Sequence, residues 1–402
     1  MLDRVLIKLV RDRLDASGLP LALRLWNGEE FVSASPAKVQ LALHSLRALK
    51  VLAHPSLGGL ARAYVEGELD IEGDARDILK VGENLCMDGS GASDKGTDAW
   101  KWWRHTRTRD RKNIQYHYDV SNDFYRLWLD RNRVYSCAYF KNRDMTLDDA
   151  QEAKLDLICK KLALKPGEHL LDLGCGWGGL ILWAAEHYGV RVHGITLSDN
   201  QRDYVNQQIA ERGLADRAEV RLMDYRDVLE ETQYDKIASV GMFEHVGRRN
   251  LTEYFAKINR LLKPGGLVLN HGITAQLPYT KGLSSGISDF VEDYVFPGGE
   301  LVHISEVMSA AATSGLECLD GENLRPHYGR TLWHWVNRLQ DHAAEARRMI
   351  GERKYRIWRI YMAGSAHAFD QGWLELWQVL AGKPAASGIQ PNYPFNREYV
   401  YR

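Results

Sequence analysis

No stretch of the 402-residue chain approaches the ~18 consecutive apolar residues of a membrane-spanning helix, so any contact with a bilayer is expected to be peripheral. The first segment, Met1 to Leu14, lacks a continuous apolar run as well. Asp3, Arg4, Lys8, Arg11, Asp12 and Arg13 interrupt Leu2, Val5, Leu6, Leu9 and Val10, a pattern that excludes a signal peptide and predicts an amphipathic helix. Cysteine is scarce. Cys86, Cys137, Cys159, Cys175 and Cys318 show no C-x-x-C spacing and leave one thiol over in any pairing. That argues against a zinc site or a disulfide framework and makes the cytosol the expected compartment. Net charge is missing too: 52 Lys and Arg stand against 53 Asp and Glu. The whole-chain field therefore steers nothing toward nucleic acid, and an anionic partner must be met by a local patch.

What is present describes a folded protein. Hydrophobic residues at 45% and charged residues at 26% exclude disordered and fibrous classes, and the length suits two or three domains. Leu21, Leu23 and Leu25 alternate before Asn27-Gly28, with Phe31-Val32 following, which predicts a β-hairpin. Leu60 to Leu69 and Leu79 to Leu85 read as helices. From Met87 to Thr97 the sequence turns Gly- and Ser-rich, with almost nothing able to pack. The expected organisation is a small α+β domain over residues 1–90, a linker over 91–112 and a larger domain over 113–402.

Trp100, Trp102 and Trp103 lead into Arg104, Arg107, Arg109, Arg111 and Lys112. Basic residues beside aromatics suit nucleic acid, through phosphates and stacking, or a phospholipid interface, where Trp sits at the headgroups and Lys and Arg meet anionic lipid. A solvated linker whose tryptophans dock onto a domain fits equally well.

From Gln151 onward helices and strands alternate. A helix over Gln151 to Leu162 and a turn at Lys165-Pro166-Gly167 precede strands at His169 to Leu173, Val190 to Ile195, Glu219 to Met223, Lys236 to Val240 and Leu267 to His271. This rhythm predicts an α/β fold with a mostly parallel sheet covered on both faces. Ligands in such sheets sit at the carboxyl ends of the strands, where the suggestive motifs fall.

Leu171-Asp172-Leu173-Gly174-Cys175-Gly176-Trp177-Gly178-Gly179 closes the first of these strands and opens a helix. A dinucleotide site wants G-x-G-x-x-G and an acid at the end of the second strand, but that strand ends Gly194-Ile195-Thr196-Leu197-Ser198. Asp172 precedes the glycines instead, which suits a cationic, phosphate-free cofactor such as S-adenosylmethionine. Leu262-Lys263-Pro264-Gly265-Gly266 before a later strand is typical of class I methyltransferases, which have a Rossmann-like sheet. Asp224-Tyr225 follows the third strand, where an adenine ring is usually held. Gly241-Met242-Phe243-Glu244-His245-Val246-Gly247 lies at the end of the fourth, facing the transferred methyl. A buried carboxylate beside a histidine is an acid/base site or a structural pair.

These segments carry a resemblance. Tyr118 to Phe124, Tyr135-Ser136-Cys137-Ala138-Tyr139-Phe140, the Gly174 to Gly179 loop, Gly241 to Gly247 and Phe296-Pro297-Gly298-Gly299 together resemble the cyclopropane-fatty-acyl-phospholipid synthases, relatives of the mycolic acid cyclopropane synthases. The resemblance runs from about Asn113 to the C-terminus. Ala63 to Asp70 resembles the N-terminal, lipid-binding-type domain of the phospholipid-acting members, which the shorter mycolic acid enzymes lack.

The resemblance implies methyl transfer from S-adenosylmethionine to a cis double bond in an unsaturated phospholipid acyl chain, then deprotonation and ring closure with bicarbonate as base. An isolated alkene is a feeble nucleophile, so the methyl must be held in line in a dry pocket. The base must be prepositioned against the resulting cation. By motif, the bicarbonate cradle falls on Cys137, Glu244, His271, Tyr328 and the backbone of Ile273. Taken singly, Cys137 reads equally as a buried apolar-like thiol, His271 as a satisfied core histidine and Tyr328 as a packing ring. Cofactor contacts fall on Tyr135, Ser136, Asp172, Gly174, Cys175, Gly176, Trp177, Gly178, Thr196, Leu197, Gln201, Asp224 and Tyr225. No metal and no nucleic-acid partner is implied. A homodimer peripherally attached to the cytoplasmic face of the membrane is. A methyl-branched or methylene product from a related fatty-acid C-methyltransferase is the alternative. The sequence departs from the family at Ser365, where relatives often carry cysteine, and at Leu301-Val302, where Leu-Pro is common.

Overall fold

The structure is a computed structural model that describes residues 2–87, 121–278, 285–296, 299–387 and 393–401. The expected linker, with Trp100, Trp102 and Trp103, lies outside the described residues. Contacts gather the described residues into two units. The first comprises 2–87, 285–296 and 335–368, and the second 121–278, 299–334 and 369–401. Both are discontinuous in sequence, whereas the sequence reading divides the chain linearly.

The first unit is α+β. Its strands Leu21–Arg24 (β1), Glu30–Val32 (β2), Val39–Leu43 (β3) and Leu69–Gly73 (β4) lie in the order β2-β1-β3-β4. The predicted hairpin is there, with β1 antiparallel to β2 and Leu23 opposite Phe31. The helix Leu2–Ser17 contributes Val10 and Leu14 to a core shared with Leu21, Leu23, Leu41 and Leu49. One expected helix is cut short. The helix Leu57–Val65 is capped by the Ser56 side chain and closed where the Glu68 N–H returns to the Ala63 carbonyl at 2.9 Å. Leu69 then enters β4 opposite Leu43, because its side chain is wholly buried only by joining the sheet. From the later segments, Arg356 donates to the Asp70 carboxylate at 2.6 Å and to the Tyr64 carbonyl at 2.9 Å.

The second unit holds seven strands: His169–Leu173 (β5), Arg191–Thr196 (β6), Ala218–Leu222 (β7), Tyr234–Val240 (β8), Leu262–Ala275 (β9), Glu317–Asn323 (β10) and Leu374–Gly382 (β11). Their order is β10-β11-β9-β8-β5-β6-β7. Neighbours from β9 to β7 are parallel, as the alternating rhythm predicts, and β11 runs antiparallel to both β9 and β10. Alternate residues of β5 enter separate cores, since strand side chains point to opposite faces: Leu170 packs with Ile158, Ile181 and Val192, and Leu171 and Leu173 pack with Phe255, Ile258 and Val268. The helix Leu147–Lys161, capped by Thr146, turns Gln151, Lys154 and Lys161 inward with its apolar residues. Among the described residues no helix is long and apolar enough to cross a membrane.

Candidate active site

At the carboxyl end of β5 the chain must turn sharply into the helix Gly179–Tyr188. The N–H groups of Gly174 and Cys175 both reach the Ile195 carbonyl at the end of β6, at 3.1 and 2.9 Å. The turn needs left-handed backbone at Gly174, Gly176 and Gly178, with φ of 87°, 55° and 82°, which glycine adopts without steric penalty. A Cβ on Gly176 would meet no atom within 4 Å, since it would project into open space beside the loop. The loop thus offers bare backbone to a ligand.

A cavity opens there. Tyr135, Ser136, Asp172, Gly174, Cys175, Gly176, Trp177, Thr196, Leu197, Gln201, Asp224 and Tyr225 all line it, and Gly178 does not. Gly178, the N-cap of the helix Gly179–Tyr188, packs closely instead: a Cβ there would lie 2.9 Å from Val205 of the helix Asp199–Glu211. Thr196 donates to Gln201 at 2.7 Å, which fixes the amide, and the Asp224 carboxylate takes both the N–H and the guanidinium of Arg226. On the opposite wall Trp177 donates to Asn122 at 2.9 Å, and its ring lies 4.5 Å from that of Tyr125. Tyr135 packs on Tyr125 and Trp128. Trp177 and Tyr135 thus give one side of the cavity an aromatic wall.

One carboxylate of the cavity suits a cation. Asp172 is buried, its Oδ1 has no hydrogen-bond partner, and burial pushes its carboxyl up to about 7 against the pull of Lys154. A sulfonium or ammonium group beside it would compensate that unpaired oxygen. Lys154 was not singled out from the sequence. It lines the cavity, donates to the Ser136 hydroxyl at 2.9 Å, and is drawn down to about 8 by burial, with Asp130, Cys137 and Asp172 pulling the other way. Its signal lay in spacing: Leu147, Gln151, Lys154, Ile158 and Lys161 share one helical stripe, and a polar residue in a buried stripe needs a partner.

Beyond the end of β8, and along β9 beside it, stands a second group of residues. Glu244 is half-buried in the turn after β8; its Oε1 accepts the N–H of Ile273 at 2.8 Å, leaving the buried Oε2 without a partner. The Ile273 N–H, assigned to the cradle by resemblance, is thus engaged by Glu244 in this structure. Gly272 makes this approach possible, since a Cβ there would fall 2.1 Å from the Phe243 ring and 3.0 Å from Glu244 Oε1. His271, buried on β9, meets Gln378 through Nδ1 at 3.1 Å, and its Nε2 has no partner. Burial holds this imidazole well below the ordinary histidine range. The Cys137 thiol, fully buried and pushed far up by desolvation, lies 3.9 Å from the Leu324 carbonyl. That carbonyl also accepts the N–H of Tyr328, whose ring packs on Phe369. The two sets are neighbours through the sheet: the Leu324 N–H bonds the Leu376 carbonyl, and Leu376 sits opposite Ile273.

Comparison with known proteins assigns the chain to a family. Residues 105–379 match the family model described as mycolic acid cyclopropane synthetase. The chain is 43% identical over 389 residues to a probable fatty acid methyltransferase of Pseudomonas putida, covering 97% of this chain and 98% of that one. It is 38% identical over 281 residues to the cyclopropane mycolic acid synthase MmaA2 of Mycobacterium tuberculosis, 68% of this chain and 97% of the relative. The solved MmaA2 structure superposes with a TM-score of 0.65 at 37% identity, over 68% of this chain and 98% of that one. The mycolic acid cyclopropane synthase CmaA1, complexed with SAH and CTAB, gives 0.63 at 37% identity over 68% and 98%. With its glycine loop, its buried Asp172 and these relatives, the chain belongs to the mycolic acid cyclopropane synthetase family and is an S-adenosylmethionine-dependent methyltransferase.

Proposed function

We propose that this methyltransferase adds the methyl group of S-adenosylmethionine to the cis double bond of an unsaturated phospholipid acyl chain and closes the added carbon into a cyclopropane, with bicarbonate as the base. The observation that carries this reading is the pair of buried, unpartnered polar atoms Glu244 Oε2, in the turn after β8, and His271 Nε2, on the adjacent β9. Orphaned polar atoms in a dry wall are costly unless a ligand satisfies them.

Their chemistry suits an anion. Burial pushes the Glu244 carboxyl up to about 7, against the hydrogen bond from the Ile273 N–H. Because Oε1 already accepts that N–H, the proton of the neutral acid belongs on Oε2, which then donates. His271 remains neutral. Glu244 and His271 would hold the anion, with Cys137 and Tyr328 assigned to the same cradle by family resemblance. Bound there, bicarbonate supplies a base for the proton leaving the newly added methyl carbon.

The remaining steps fall to the cavity. Asp172 stabilises the cationic cofactor, and the glycine loop lets its methyl approach the substrate. Attack by the alkene breaks the S–C bond and forms a C–C bond, leaving a cation on the acyl chain and neutral S-adenosylhomocysteine. Loss of a proton from the added carbon then closes the ring. The Trp177, Tyr125 and Tyr135 rings exclude water that would quench the cation.

Phospholipid is favoured over mycolic acid as substrate by chain length. The P. putida relative aligns over nearly the whole chain, while the mycolic acid synthases match only about two-thirds of it. The name of the former, a probable fatty acid methyltransferase, supports a second reading in which reaction stops at a methyl-branched or methylene product. Lipid extracted from an expressing host decides between them. A monoene should gain the mass of one CH2 group and resist hydrogenation if the ring closes; a methylene product is reduced under the same treatment. A homodimer resting on the cytoplasmic face of the membrane completes the proposal, and sedimentation of the purified protein measures its oligomeric state.

A further inference from the structure

A row of polar side chains runs across the sheet behind the anion cradle. In the ladder, Glu322 of β10 stands opposite Gln378 of β11, and Gln378 stands opposite His271 of β9. Directly paired residues project to the same face, so the three side chains form one line. Lys161, in the last turn of the helix Leu147–Lys161, comes down on that line. Its Nζ donates to Gln378 Oε1 at 2.7 Å and pairs with Glu322. Lys161, Gln378 and His271 are each at least 97% buried, and the mechanism above uses neither Lys161 nor Gln378.

The order of donors in this line is forced. An ammonium has only donors, so the amide atom facing Lys161 is the oxygen, and the NH2 group faces His271. There it donates to Nδ1 at 3.1 Å. A neutral imidazole whose Nδ1 accepts carries its hydrogen on Nε2, the atom left without a partner at the cradle.

We infer that Lys161 and Gln378 are positioning residues that lock His271 in the Nε2–H tautomer, so that a hydrogen-bond donor is aimed at the anion. Glu322 keeps Lys161 charged in its buried place, opposing the desolvation that pulls the ammonium down. Reversing the amide would put Oε1 against Nδ1 and move the imidazole hydrogen away from the cradle. It would also face the amide NH2 with an ammonium, two donors in opposition. The inference rests on the anion-cradle reading for the use of the donor, and on the Lys161–Gln378–His271 geometry for its direction.

The full-length protein labelled with 15N-histidine tests it by long-range proton–nitrogen correlation, the His271 signal being identified by its loss in His271→Asn. In the wild type at neutral pH, Nδ1 should be unprotonated and Nε2 protonated. Gln378→Glu replaces the donor with an acceptor, so Nδ1 should become protonated. The kcat should then fall on the order of tenfold, the scale set by groups that orient a functional histidine, with KM for S-adenosylmethionine unchanged. Nδ1 protonated in the wild type overturns the inference, as does a Gln378→Glu enzyme with Nδ1 unprotonated or with wild-type kcat. Should that variant fail to fold, the wild-type spectrum still decides. Failure of the cradle reading looks different: turnover indifferent to bicarbonate, with the Nε2–H signature intact.

Discussion

The Ile273 N–H donates to Glu244 Oε1 at 2.8 Å, and that bond assigns the two carboxyl oxygens their parts. One is held as an acceptor by the backbone of β9. The other is free to carry the proton while the acid is neutral, so that, on the proposed function, the ionisation of Glu244 and the binding of an anion oppose each other.

The first prediction concerns pH. An anion favours the protonated form of Glu244, whose carboxyl is raised to about 7 in the free protein. Above that value, binding must be accompanied by proton uptake, so affinity falls as pH rises. With total carbonate adjusted so that the same range of bicarbonate concentrations is covered at each pH, the KM for bicarbonate should climb from about pH 7 upward. In Glu244→Gln, whose amide cannot ionise, the climb attributable to this group should vanish. A KM that is flat in the wild type would remove Glu244 from the cradle.

Asp172 gives the opposite sign. A cationic cofactor favours the carboxylate, which lies at about 7 in the free protein, so binding should release a proton near and below that pH. S-Adenosylmethionine affinity should then rise with pH and level off above about 7. Calorimetry in buffers of different ionisation enthalpy counts the protons directly. Asp172→Asn should bind more weakly and release none from this site.

Gly272→Ala tests the close approach of β9 to the Glu244 turn. The added methyl would sit 2.1 Å from the buried Phe243 ring, an overpacking that costs about 1–3 kcal/mol. Denaturant unfolding should show that loss, and turnover should drop further than stability alone explains, because Glu244 is displaced with Phe243.

On the loop, Gly176→Val should abolish S-adenosylmethionine binding. The side chain would enter open space beside the ligand-facing backbone and would impose a branched residue on φ of 55°. Thermal unfolding should shift modestly while calorimetry detects no binding. Retained affinity would reduce the loop to a simple turn.

Membrane attachment has a measurable candidate in the helix Leu2–Ser17. Val5 and Leu9 are 64% and 48% exposed, beside Arg4, Lys8 and Arg11. Apolar side chains flanked by basic ones suit an anionic lipid surface. Val5→Asp with Leu9→Asp should reduce co-sedimentation with anionic vesicles and leave S-adenosylmethionine binding intact. Unchanged binding would turn attention to Trp100, Trp102 and Trp103.

Much of the second unit is written locally. The strands β5 to β9 follow from short apolar runs between helical stripes, and the glycine loop is legible because only glycine suits three left-handed positions so close together. Asp172 and Glu244 are marked by their places at strand ends, which a parallel sheet makes the ligand edge. Strand β10 is another matter: Glu-Cys-Leu-Asp-Gly-Glu-Asn offers neither alternation nor an apolar run, and only pairing with β11 makes it a strand.

What the sequence determined by itself is the cofactor edge, since loop, acid and strand are contiguous and their geometry is set by backbone preferences over a few residues. Tertiary structure alone decided which polar groups answer one another. Lys161, Gln378 and His271 are separated by long stretches of chain, and nothing near any of them announces the others. They meet because antiparallel register sets Glu322, Gln378 and His271 in one row, with a buried helix end laid across it. Inside that dry interior a polar atom without a partner is costly, and Glu244 Oε2 and His271 Nε2, two of those left without one among the described residues, are the atoms on which the proposed anion site rests.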